Sequence, residues 1–353
     1  MTRIRTVRCH AISEDIGSVT LDEIELPDPG PGEVQIRVKA CAVNFPDLLM
    51  IQDKYQHKPP LPFAPGGEAA GDVAAVGAGV TNLKEGDAVC FGSRAGGFAE
   101  AVNVPAAGVK PIPGKMNYEK AASYSTAYMT AYVALKVRGN LQAGEWLLVH
   151  GATGGVGMAA VDLGKHYGAH VIGTGGRDDK LAVVASRGAD AVINYTLPDG
   201  RMGGFRDQVK AITGSGGADV IYDPVGGDVF DESMRCINWR GRILTIGFTS
   251  GRWPTAPVNL ILIKSISVIG VRAGEIGRRD PELGRENQAA LWGLATSGAI
   301  DPYVCAGFPL ERAVDAMRML ENRDVVGKCV VTMNGYELPA RRDAGSLTHK
   351  EQA

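Results

Sequence analysis

The chain has 353 residues, 45% of them hydrophobic and 22% charged, which is the usage of a folded globular protein and excludes a disordered one. At roughly 100–200 residues per domain, that length holds two domains and so a cleft between them. The formal net charge of -2 includes no block of like charge able to track a phosphate backbone, which excludes nucleic acid as a partner.

Up to about residue 115 the sequence is strand-like. Val34, Ile36 and Val38 alternate with polar residues, and Pro29-Gly30-Pro31-Gly32, Pro59-Pro60 and Pro65-Gly66-Gly67 interrupt the runs, which predicts a compact β-rich lobe. The alanine-rich stretch 117–137 predicts a helix that stops near Gly139-Asn140 and bridges to the next lobe. Beyond it, apolar strands near 146–150, 170–173, 191–193, 218–223, 242–247 and 267–271 alternate with helical segments. That alternation is the signature of βαβ units, and six such strands match a complete doubly wound parallel sheet, the Rossmann dinucleotide fold. Helices over 281–297 and 311–322 precede a last strand, 328–333, placed to return to the first lobe. The tail from Gly335, with Glu337, Arg341, Arg342, Asp343 and Lys350, lacks apolar periodicity and reads either as a loose end or as an arm over a partner subunit.

No apolar run approaches the roughly 18 residues of a membrane span, and the opening MTRIRTVRCH lacks the apolar stretch of a secretory signal. A cytoplasmic protein with no membrane association is the expectation. Cys9, Cys41, Cys90, Cys236, Cys305 and Cys329 form no CxxC pair, so reduced packing thiols are expected rather than a disulfide scaffold or a cysteine zinc knuckle.

The buried-strand run Trp146-Leu147-Leu148-Val149-His150 feeds directly into Gly151-Ala152-Thr153-Gly154-Gly155-Val156-Gly157 and then a helical Met158-Ala159-Ala160. Glycine permits the tight turn and the close approach of a pyrophosphate, and free N–H groups at the helix start hold its charge. Gly154, Gly155, Val156 and Gly157 are therefore cofactor-binding candidates. At the end of the second strand an NAD site would carry an acidic residue about 20 positions beyond the glycines. Here Thr174, Gly175, Gly176 and Arg177 stand instead, leaving room for a 2′-phosphate that Arg177 and Lys180 would neutralise, so the cofactor expected is NADPH. Asp178 and Asp179 read as first-turn helix residues, although either one turned towards the ribose would favour NAD.

At these residues the sequence resembles the zinc-independent quinone oxidoreductase branch of the medium-chain dehydrogenase/reductase superfamily, over nearly the whole chain to about Met333. The resemblance rests on Asn44-Phe45-Pro46-Asp47, Pro65-Gly66-Gly67-Glu68, Thr130-Ala131-Tyr132, the glycine loop, Val192-Ile193-Asn194-Tyr195, Asp223-Pro224-Val225-Gly226-Gly227 and Gly327-Lys328. It implies an α/β protein in which a GroES-like β-rich catalytic domain, 1–125 with 300–353, surrounds a Rossmann domain, 126–299. It also implies a homodimer or tetramer. Among contacts, it implies Lys180 and Tyr195 near the adenosine phosphate, Thr130 and Val271 beside the nicotinamide, Gly247 and Phe248 along its ribose, and Lys328 on the pyrophosphate.

Zinc alcohol dehydrogenases of the same superfamily place a cysteine where this chain has Asn44 and a histidine where it has Gly67, so no metal is expected. Catalytic zinc needs about three protein ligands, and these residues do not supply them. Without a Lewis acid, reduction of an electrophile such as a quinone or enone fits better than alcohol oxidation. Asn44 is the candidate donor to a carbonyl on which charge develops, or else a loop cap. Tyr55 is the candidate proton donor, or else a pocket wall, with solvent as the alternative acid. Asp47 reads as a structural acceptor. Arg272 either binds an acidic group on the substrate or forms an ion pair at a subunit interface, and with the 277–285 segment it keeps a 2-enoyl thioester reductase open. A non-catalytic NADPH-binding protein is a further alternative.

Overall fold

The computed structural model describes residues 1–214 and 216–339. From residue 340 the tail, read above as a loose end or an arm, lies outside the described residues.

The middle of the chain folds as a six-stranded parallel sheet in the spatial order Ala191–Asn194, His170–Gly175, Trp146–Val149, Ala218–Asp223, Ile237–Thr245, Ser267–Gly270. Leu147, Leu148, Val149, Val220, Ile221, Ile243 and Leu244 are fully buried, as strands covered by helices on both faces require. The chain reverses direction across the sheet between Trp146–Val149 and Ala218–Asp223, the switch point at which such sheets open a crevice beyond their carboxyl ends. The six expected strands all form; the fifth is longer than its apolar run suggests because Ile237 already pairs with Ala218.

The bridging segment is not one helix. It divides into Tyr118–Ala121, Ser125–Tyr132 and a π-helical stretch, Val133–Arg138. The second helix begins where the Thr126 N–H, one of its otherwise orphaned first-turn donors, finds Glu68 Oε1 at 2.9 Å. The stop at Gly139 is the expected one, its N–H closing on Ala134 O at 2.7 Å.

Both chain ends build the other lobe. Its long strand Glu33–Ala42 pairs with Glu68–Val76 and Ala101–Pro105 from the N-terminal part and, antiparallel, with Lys328–Thr332 from the C-terminal part. Val331 lies opposite Cys41 in that pairing. The predicted return strand is therefore present, and it delivers Lys328 to the seam between the lobes. The two late helices form as Pro281–Ser297 and Ala313–Glu321, the latter entered through a 3-10 turn at Leu310–Arg312.

Candidate active site

The glycine loop connects Trp146–Val149 to the helix Gly155–His166, and two of its glycines are sterically required. A Cβ on Gly157 would lie 2.1 Å from Gly151 O, so the helix packs against the turn only without a side chain there. A Cβ on Gly155 would lie 2.8 Å from Lys328 Cδ, in the floor of a cleft of about 710 Å³. Gly154, Gly155 and Val156 line that cleft, as do Gly175, Arg177, Lys180 and Tyr195, and so do Asn44 and Lys328 from the other lobe. A bare glycine floor at a helix start beside a switch point fits the pyrophosphate of a dinucleotide.

His150, directly before the loop, is fully buried and bonded at 2.8 Å through Nδ1 to Thr174 Oγ1 and at 2.8 Å through Nε2 to Ser233 Oγ. Burial pushes its pKa down to about 3, so it is a neutral strut between the first two strands and the helix Gly227–Cys236. Thr174 is thereby turned into the core rather than the cleft.

Around Arg177 and Lys180 the charges are distributed differently from the expectation. Arg177 is held by Asp179 at 2.6 and 3.0 Å and by Asp324 at 3.2 Å. Lys180 donates to Arg323 O at 2.5 Å. Arg323 itself lines the cleft, and its guanidinium bonds only to the Thr249 carbonyl, at 2.9 Å, among the described contacts. Sequence reading missed this residue, because the Asn322-Arg323-Asp324 loop carries no motif and arrives from the far end of the chain.

Other residues expected at the cofactor are not on the lining of the cleft, while neighbours a few positions away line it or the adjoining cavity. Thr249 and Ser250, rather than Gly247 and Phe248, line the cleft, because Thr249 N–H and Ser250 N–H bond to Pro224 O and Val225 O and fold the loop over that turn. Thr130 donates its hydroxyl to Thr126 O at 2.8 Å, and Thr126, one turn earlier, reaches the open space. Val271 is buried in the core, and its neighbour Arg272 faces a cavity.

That second cavity, about 400 Å³, holds Asn44, Tyr55, Thr126 and Arg272 on its walls. Asn44 is common to both spaces. It is the N-cap residue of Phe45–Ile51, so the capping position is real, yet its side chain serves the cavities. Its Oδ1 accepts from Lys328 Nζ at 2.5 Å, while its Nδ2 has only long contacts, 3.4 Å to Glu68 Oε2 and 3.5 Å to Ala42 O. The amide is thus fixed with its donor end available. Asp47 is an acceptor for two backbone N–H groups, Asn44 at 2.8 Å and Gly66 at 3.0 Å, and burial raises its pKa to about 6.

Two family models match the chain: "Alcohol dehydrogenase GroES-like domain" over residues 30–114 and "Zinc-binding dehydrogenase" over 155–285. Quinone oxidoreductase-like protein 2 homolog of Nematostella vectensis is 38% identical, with 93% of this chain and 88% of that protein covered. Among solved structures, a probable oxidoreductase from Mycobacterium abscessus superposes with a TM-score of 0.83 at 33% identity, covering 94% of this chain and 99% of that one. Escherichia coli quinone oxidoreductase, complexed with NADPH, superposes with a TM-score of 0.80 at 30% identity, covering 93% and 99%. A β-rich lobe closing over a glycine-floored switch-point cleft defines an oxidoreductase of the medium-chain dehydrogenase/reductase type. The chain belongs to the quinone oxidoreductase branch of that superfamily.

The residues at the place of a catalytic zinc do not fit one. Gly67 has no side chain, Asn44 Oδ1 is taken by an ammonium group, Glu68 is engaged by Thr126 N–H and Asn44 Nδ2, and both Asp47 oxygens accept backbone N–H groups. A metal needing about three free protein ligands finds no such set here.

Proposed function

We propose that this chain is an NADPH-dependent, zinc-independent reductase of quinones and α,β-unsaturated carbonyls. The observation that carries this reading is that Asn44 borders both the dinucleotide cleft and the second cavity, its amide N–H making only long contacts, 3.4 Å to Glu68 Oε2 and 3.5 Å to Ala42 O. NADPH supplies a hydride to an electrophile bound in that second cavity. Asn44 donates to the carbonyl oxygen on which negative charge grows, in the manner of an oxyanion hole. Lys328 holds the amide in that orientation and adds its own positive charge nearby. Tyr55, half-buried on the same cavity, is placed to give a proton, and solvent at the cavity mouth does so equally. Lys180, Tyr195 and Arg323 would hold the adenosine phosphate, and Gly154 to Val156 the pyrophosphate.

The domain assignment we favour is 1–125 with 300–353 for the catalytic lobe and 126–299 for the cofactor lobe. No helix among the described residues is long and apolar enough to cross a membrane, and the location we propose is cytoplasmic. Among the described residues the edge strand Ser267–Gly270 pairs on one side only, and the adjacent helix Val258–Lys264 exposes Val258, Leu262 and Ile263, which supports a homodimer joined along that edge.

The test is NADPH oxidation, followed by absorbance, with 1,4-benzoquinone, 9,10-phenanthrenequinone, 2-cyclohexenone and a 2-enal, each repeated with NADH. Turnover of one electrophile class with preference for NADPH is expected. Tight NADPH binding with no turnover would replace this reading with that of a non-catalytic NADPH-binding protein.

A further inference from the structure

The second cavity is walled by charge as well as by reactive groups. Arg94 lines it from the turn after the strand Ala88–Gly92, and Arg272 and Arg278 line it from the segment after Ser267–Gly270. Two carboxylates share the lining. Asp47 is buried and already satisfied by two backbone N–H groups. Glu275 is surrounded by Arg279 at 2.6 Å, Arg278 in direct contact and Arg272 at 3.7 Å. Hydrogen bonds from Arg279 and Arg278 draw the Glu275 carboxyl down to about 2, so it stays ionised and still meets three guanidinium groups alone. Arg272, beyond hydrogen-bond range of that carboxylate, has its N–H donors open among the described residues. Arg94 is exposed and enters no ion pair among the described residues.

Asn44 and these arginines line one cavity of about 400 Å³, so a molecule with its carbonyl at Asn44 extends towards them. Resting on the reductase reading above, we propose that the preferred electrophile is an anion: an α,β-unsaturated carbonyl bearing a carboxylate or phosphate remote from its double bond, held by Arg94, Arg272 and Arg278. In the reaction a hydride from the reduced nicotinamide bonds to the β-carbon, and the π electrons move to the carbonyl oxygen beside Asn44. A proton then adds at the α-carbon, leaving a saturated carbonyl and an oxidised nicotinamide. The anionic group takes no part in this chemistry, so charged and neutral acceptors differ in binding alone.

Matched pairs test the proposal: a short enone bearing a terminal phosphate monoester against its dimethyl ester, and one bearing a terminal carboxylate against its methyl ester, with 1,4-benzoquinone as neutral reference. In at least one pair the charged member is expected to have a kcat/KM about tenfold higher or more. That advantage should shrink between about 20 and about 500 mM salt as the charges are screened. It should also fall in the R94Q/R272Q double variant. A gain in the phosphate pair alone assigns the site to phosphate, a gain in the carboxylate pair alone to carboxylate, and a gain in both to either. Equal kcat/KM within both pairs, with rapid benzoquinone turnover, overturns the anion proposal and leaves the reductase intact. A calorimetric titration with whichever charged enone, carboxylate or phosphate, binds the NADP+-saturated protein more tightly gives an independent readout. Its Kd should weaken about tenfold in the double variant, and an unchanged Kd overturns the proposal even if no electrophile is turned over, an outcome that would separately remove the reductase reading.

Discussion

Lys328 and Asn44, 284 residues apart, share a 2.5 Å hydrogen bond across the seam between the lobes. The same ammonium bonds to Val43 O at 3.2 Å, and the lysine stem lies over Gly155. One side chain thus spans the glycine floor of the cleft and the Asn44 amide. In K328M the Asn44 amide loses its orienting donor, and kcat should fall about 10- to 100-fold for a charge-assisted bond of about 1.5–3 kcal/mol. Steady-state kinetics with benzoquinone decides the matter, because a defect confined to KM for NADPH would mean that Lys328 serves the cofactor alone.

Arg323 is expected to set the preference for the phosphorylated cofactor, since Arg177 is already neutralised by Asp179 and Asp324. R323Q should weaken NADPH binding about tenfold or more while leaving NADH almost unchanged. Fluorescence titration with both nucleotides measures the ratio. Equal weakening of the two would place Arg323 outside the phosphate site.

The two required glycines should fail in different ways. In G157A the new methyl meets the backbone at Gly151 and cannot be relieved by a side-chain shift, so a loss of about 1–3 kcal/mol in stability is expected. In G155A the obstacle is the lysine stem, which can move, so folding should survive while dinucleotide affinity drops. Urea midpoints and NADPH titrations of both variants separate the two effects, and a matching pattern in the two would contradict it.

His150 makes the fold sensitive to acid. Its pKa is near 3 in the folded protein and about 6.5 when unfolded, so between those values the unfolded chain binds the extra proton and stability falls as pH falls. The slope is about 1.4 kcal/mol per pH unit below about pH 6. H150Q removes it, whereas the opposing titration of Asp47 and Asp223, both raised to about 6 by burial, is common to both proteins and cancels in the comparison. Denaturation curves at pH 7, 6 and 5 should converge towards low pH; parallel loss in the two proteins would show that His150 is protonated normally while folded.

The nucleotide fold was legible because its signals are local. Leu147 to Val149 form an uninterrupted apolar run, and the glycines follow without a gap, so a few neighbouring residues report the whole strand–turn–helix unit. Which residues line the two spaces depends on distant partners. Thr126 rather than Thr130 reaches the cavity because Glu68, far back in the chain, captures its N–H and fixes where the helix begins. Thr130 lies one turn on along the same face, and helical periodicity alone does not distinguish the two. Arg177 looked like a free cation because the sequence does not show that Asp179 folds back on it or that Asp324 comes to meet it.

The pairing of Lys328–Thr332 with Glu33–Ala42 also orders events during synthesis. A ribosome releases the first β-rich segment long before its sheet neighbour exists, whereas the six parallel strands are complete once residue 270 has emerged. The nascent chain can therefore assemble its central layer while the amino-terminal portion waits, unfinished, for the last strand. A chain ending at residue 326 should retain a protease-resistant central fragment and lose protection over residues 33–42.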